Sequence, residues 1–145
     1  MLDNHQQFLA RQCAVNRHAF GPGERREGVL RHIEQEVEEV RSATTHEERA
    51  REWVDITLLG QDGLLRSVRE MLREGFIANG AAEQEFLAIG TRIVAHFGEP
   101  TSDYVAEAAL SMLKGKLEKN ELREWDDWRV VGEDAPVNHV EGAHD

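Results

Sequence analysis

Apolar residues recur at helical spacing through most of the chain. Val29, Ile33, Val37 and Val40 form one stripe, and Leu58 and Leu59 continue the pattern on the following segment. No stretch keeps the period-two alternation of a half-buried strand. The pattern predicts helices over about 4–18, 25–43, 46–74, 82–96 and 103–124, with Gly60 and Gly63 inside the third. The breaks fall where turn chemistry expects them. Phe20-Gly21-Pro22-Gly23 closes the first helix, and Thr44-Thr45 closes the second. Thr45 followed three residues later by Glu48 is a capping-box signature. Gly75, Asn79-Gly80 and Gly98-Glu99-Pro100 mark the later turns, with Thr101 or Ser102 as the next cap. From Val130 the text VVGEDAPVNHVEGAHD is polar and aperiodic. The expected architecture is all-α, a bundle of about five helices over residues 1–129, with a flexible tail at 130–145.

Composition narrows the setting. A chain of 145 residues suggests one domain, able to bury roughly two thirds of the surface its unfolded chain exposes. The single cysteine, Cys13, forms no internal disulfide and fits a reducing compartment. The start, MLDNHQQFLARQC, lacks the basic and apolar regions of a signal peptide, and no apolar run approaches the ~20 residues of a membrane span. A cytoplasmic protein is expected, in the host cytoplasm if the source is viral. The net charge of −11 opposes nucleic acids and anionic membranes, so neither is expected as a partner. It opposes capture of a nucleotide triphosphate as well, unless carboxylates first gather divalent cations.

The placement of certain carboxylates makes that exception concrete. Glu36 lies three residues after Ile33 and four before Val40, beside the apolar stripe, and Glu39 follows on the same side. Glu52 and Asp55 repeat the spacing on the next helix, where Asp55 precedes Leu58, Leu59 and Asp62 at helical intervals. A carboxylate bordering a core needs a partner. Four converging carboxylates bind hard divalent cations through oxygen, or pair with arginines such as Arg31, Arg41, Arg49, Arg51, Arg66 and Arg69. Other metal chemistry is poorly served. Glu-x-x-His occurs only at Glu141–His144 and His-Asp only at His144-Asp145, both in the tail. No Walker loop, nucleophile elbow or Cys-x-x-Cys is present. His32, as a lone histidine, is expected to be structural.

A local basic stripe offsets the global charge. In KGKLEKNELREWDDWR, Lys116, Lys119, Asn120 and Arg123 share one helical face, and Trp125 and Trp128 follow. One reading is an amphipathic helix end whose tryptophans cover the core. The other is a stripe that holds phosphate oxygens.

Taken in order, these motifs resemble the phage and bacterial dATP/dGTP diphosphohydrolases of the MazG-like, all-alpha NTP pyrophosphohydrolases. The resemblance rests on Phe20-Gly21-Pro22-Gly23, on Gly28-Val29-Leu30 with His32-Ile33, Glu36-Val37 and Glu39-Val40, on Glu52-Trp53-Val54-Asp55, and on Asp62-Gly63 with Arg66. Lys116, Lys119-Asn120, Arg123, Trp125 and Asp127-Trp128 complete it, so residues 18–74 and 105–129 are covered. It implies a four-helix core around two or more Mg²⁺ or Mn²⁺ ions, assembled as a homo-tetramer or homo-dimer. It implies Glu36, Glu39, Glu52 and Asp55 as metal ligands and catalytic residues. Lys116, Lys119 and Arg123 become phosphate contacts, Asn120 a phosphate or sugar contact, and Asp62 a further ligand, a ribose contact or plain structure. The implied reaction is attack of a metal-activated water on the α-phosphate, giving a (d)NMP and pyrophosphate. Similarity to the viral MazZ subtype favours a purine, with dGTP or GTP ahead of dATP, in phage nucleotide metabolism. The chain departs from the pattern in three places. Gln35 stands where the wider family has a glutamate often assigned as base, so no base carries over there; Asp126 replaces a proline; and 75–102 is an insertion. Two other functions fit the residues taken alone: a non-catalytic acidic helical module that binds a partner protein, and a metal nucleotidase releasing orthophosphate.

Overall fold

The structure, a computed structural model, describes residues 4–74 and 100–141. Its helices are α1 (His5–Phe20), α2 (Arg26–Ser42), α3 (His46–Arg73) and α4 (Ser102–Leu122). Among the described residues there is no strand, only an isolated antiparallel bridge between Trp125 and His139. The described chain is therefore all-α, as its periodicity predicts. The helix expected over about 82–96 lies outside the described residues.

Local chemistry sets each boundary. Asn4 caps α1: its side chain accepts from the Gln7 N–H at 2.8 Å, and the Gln7 side chain accepts from the Asn4 N–H at 3.2 Å. Gly21 ends α1 at φ 92°, and Gly23 follows at φ 88°, backbone that side-chain-bearing residues rarely adopt. Between α2 and α3, Thr45 accepts from the Glu48 N–H at 3.1 Å, and Glu48 accepts from the Thr44 N–H at 2.9 Å. Those bonds favour the ionised Glu48 carboxylate and hold its pKa below the ordinary value. The three-residue link folds α2 back along α3, which is about 42 Å long and packs on both α1 and α2.

The core lies where α1, the second half of α3 and the first half of α4 meet. Leu9 and Cys13 enter from α1, Leu65, Val68 and Leu72 from α3, and Tyr104, Val105, Ala106, Ala108 and Ala109 from α4. α2 contributes no fully buried residue, and its apolar stripe stays half-buried against α3. Two buried arginines tie the loops to this core. Arg69 donates to the Pro100 carbonyl at 2.9 Å. Arg66, 7 % exposed, bonds both oxygens of Asp62 through Nε at 3.0 and 3.1 Å. Its terminal nitrogens donate to the carbonyls of Gly21 and Gly23 at 2.9 Å and of Asn16 at 3.2 Å. One planar guanidinium thus satisfies a buried carboxylate and three carbonyls around the glycine turn.

The chain divides within α4: residues up to Leu110 belong to one compact unit and those from Ser111 to a second. Sequence patterning places a boundary at 129/130 instead. In the second unit the chain turns back after α4. Asp126 N–H donates to Asn138 at 2.9 Å, Val140 N–H donates to Glu124 at 2.7 Å, and the His139 ring meets Trp125 edge-on at 5.8 Å. Residues 138–140, within the stretch expected as a flexible tail, make the returning side of this pairing. Trp125 and Trp128 lie beyond the helix and remain 44 % and 71 % exposed, so they do not act as a core cover within this unit.

Replacing Arg66 by methionine keeps the volume but leaves Asp62 a buried, unpaired charge. Urea unfolding is expected to show a loss of about 3–5 kcal/mol relative to wild type. A loss under 1 kcal/mol would show that the guanidinium does not anchor the turn.

Candidate metal centre

Glu36 and Glu52 lie eight residues before and eight after Thr44, so folding α2 back along α3 brings them opposite each other. Glu39 shares the α2 face of Glu36. Carboxylate oxygens of Glu36, Glu39 and Glu52 all fall within 4.8 Å of one another. The Glu36 side chain is only 12 % exposed, Glu52 is half-buried, and Glu39 faces solvent. Among the described residues, the Oε2 atoms of Glu36 and Glu52 are buried with no hydrogen-bond donor.

Three acceptors at this range relieve their repulsion only by sharing a proton or a cation. Glu52 shows the largest shift toward the protonated form. Its carboxyl is pushed up to about 7, first by the hydrogen bond to Glu39, then by the bond to Glu36, then by burial. Burial also raises Glu36, with the Glu39 hydrogen bond adding to it. Asp55, one turn after Glu52, is not within the three-glutamate cluster but is close enough for its charge to raise Glu36 further.

Five of the six arginines that might have neutralised this cluster are engaged elsewhere, and the sixth, Arg31, is exposed. Arg41 pairs with Glu38, Arg51 with Glu47, and Arg66 with Asp62. Arg49 donates to the Ala43 carbonyl and Arg69 to that of Pro100. Among the described residues, the ion pair made by the cluster is from His32 to Glu36 at 3.5 Å. The expectation of a structural His32 becomes a histidine beside the site. A set of hard carboxylate oxygens, two of them orphaned, suits Mg²⁺ or Mn²⁺. Glu36, Glu39 and Glu52 would hold such an ion, with Asp55 beside them.

Next to the carboxylates lies a cavity of about 300 Å³. Its walls are Gln12, Asn16 and Phe20 from α1, His32 and Glu36 from α2, and Asp55, Leu58 and Leu59 from α3. Sequence reasoning missed Gln12 and Asn16. Their signal is the interval of four that sets Gln12, Asn16 and Phe20 in one row on α1, but only packing shows what the row faces.

The other expected site residues sit differently. Asp62 is 5 % exposed and paired with Arg66. Lys116, Lys119, Asn120 and Arg123 belong to the second unit. There Lys116 is exposed, the other three are half-buried, and Arg123 donates to the Asn120 side chain at 3.0 Å. No protein-family model, curated protein or solved structure matches the chain.

The raised Glu52 carboxyl fixes a pH response. Between its ordinary value of 4.5 and about 7 the folded protein holds a proton that the unfolded chain has lost. Stability of the metal-free protein should therefore fall as pH rises through that window. Metal binding must displace the proton, so Mn²⁺ affinity should rise over the same window and level off above it. Thermal melts with EDTA or Mn²⁺ at pH 5 and pH 7.5 check both signs: Mn²⁺ should raise Tm more at pH 7.5. An equal Mn²⁺ effect at both pH values would remove the cluster from consideration.

Proposed function

We propose that the chain is a metal-dependent nucleoside triphosphate pyrophosphohydrolase, cutting a (d)NTP between the α and β phosphates. The observation that carries the reading is the convergence of Glu36, Glu39 and Glu52 with no arginine among them. A cavity large enough for part of a nucleotide adjoins that cluster. The MazG-like order of motifs supplies the reaction class. Similarity to the viral members favours a purine, dGTP or GTP ahead of dATP.

Divalent ions bound there would polarise the α-phosphate and lower the pKa of a water. The chain's own part is to hold their ligands on a short, capped hairpin and to keep Glu36 largely out of water. Deprotonation of the Glu36–Glu39–Glu52 set precedes binding, so activity should rise with pH through about 7. Lys116, Lys119, Asn120 and Arg123 are the proposed phosphate contacts by motif alone.

A homo-oligomer, tetramer or dimer, belongs to the same proposal. Leu30, Trp53 and Val54 are 45 %, 56 % and 56 % exposed on a hairpin whose α2 arm has no fully buried residue. A second copy is what would cover them. Light scattering should show a multiple of the 16.5 kDa chain, and Trp53→Glu should shift it toward the monomer. A wild-type monomer at micromolar concentration contradicts this.

The deciding assay incubates the protein with the eight common (d)NTPs and Mg²⁺ or Mn²⁺ and separates the products. Monophosphate plus pyrophosphate is expected, absent with EDTA. Glu39→Gln should lower kcat at least a hundredfold while circular dichroism stays unchanged. Orthophosphate as the sole inorganic product would point to a nucleotidase, and no turnover at all would point to a partner-binding module.

A further inference from the structure

Gln12, in the wall of the cavity beside the carboxylates, carries an unmet hydrogen-bond acceptor. Gln12 donates through Nε2 to the Leu58 carbonyl at 2.6 Å. That bond settles which end of the amide is which, since a carbonyl accepts only from the nitrogen. Among the described residues Gln12 Oε1 is then left buried without a donor. Buried acceptors in folded proteins nearly always find one, so a bound partner is indicated. Phe20, two turns along the same face of α1, is 51 % exposed and adds a flat apolar wall. Asn16 stands between them with a second amide.

We propose that this cavity is the nucleobase subsite of the pyrophosphohydrolase, with Gln12 accepting from a base N–H and Phe20 stacking on the ring. The inference rests on the functional reading above and adds the residues that select the base. A volume of about 300 Å³ suits a base with part of its sugar but not an extended triphosphate. Gln12 offers its acceptor oxygen, with one of its two N–H groups held by the Leu58 carbonyl. Asn16, one turn along α1, offers both a donor and an acceptor to the same edge.

The test measures binding rather than turnover. Isothermal titration in Mg²⁺ would use the α,β-imido analogues of dGTP, dATP, dCTP and dTTP, which resist cleavage between the α and β phosphates. Inorganic tripolyphosphate serves as a ligand without a base. Wild type should prefer one analogue. Gln12→Met should weaken that analogue about tenfold and flatten the preference among the four. Phe20→Ala should weaken all four by a similar factor. Tripolyphosphate affinity should stay within about twofold in both variants, a result that general damage to the fold would not give. Phe20 is half exposed, so its truncation decides the matter even if Gln12→Met fails to fold. Unchanged affinity and preference in folded variants, an equal loss for tripolyphosphate, or no analogue binding by wild type would each overturn the subsite. Wild type that binds the analogues selectively, loses that binding in the variants and yet releases no pyrophosphate from dNTPs would overturn the catalytic reading and leave the subsite standing.

Discussion

Like charges held at close range organise the first unit of this protein. Glu36, Glu39 and Glu52 meet because two helices are joined by a link too short to let them part. The link is itself secured by the Thr45 and Glu48 caps, so the repulsion cannot be relieved by splaying the hairpin open. Relief must come from a proton or a cation. That single constraint connects a raised carboxyl group with two orphaned oxygens.

The same helix shows the opposite solution two turns away. Asp55 and Asp62 are seven residues apart and fall on one face of α3. Asp62 finds Arg66 one turn on and disappears into the core, while Asp55 is left exposed beside Glu36. The pairing at Asp62 is also what secures the glycine turn, because the guanidinium that neutralises it reaches three carbonyls. One half of α3 therefore builds structure from a neutralised charge, and the other half keeps its acids available.

Much of the helical layout was legible in the chain. Periodicity places α2 over about 25–43 and α3 over about 46–74, against Arg26–Ser42 and His46–Arg73 in the structure. The cap between them is written in Thr45 and Glu48. The convergence of Glu36, Glu39 and Glu52 follows from their spacing about that cap. What separates Asp62 from Asp55 begins locally, since Arg66 stands four residues after Asp62 and Leu59 four after Asp55. What the chain does not show is the packing of α1 and its glycine turn against the second half of α3, which takes up the rest of the Arg66 guanidinium. The Gln12 cavity is hidden for a similar reason: it exists only once three helices supply its walls. The place of the tryptophans is hidden as well: their spacing continues the stripe, but the helix ends at Leu122 and the chain then turns back on itself.

The reach of Arg66 has a consequence for inheritance. Gly21, Gly23, Asp62 and Arg66 make one geometric unit, yet they are scattered over 46 positions of the chain. A lysine at 66 has a point charge and no fork, so it cannot span the carboxylate and the turn together. Neutral drift at any one of the four is thereby penalised by the other three. Descendants of a common ancestor should keep the quartet intact or replace it as a block, and its covariation would trace this fold even where the acidic residues have diverged.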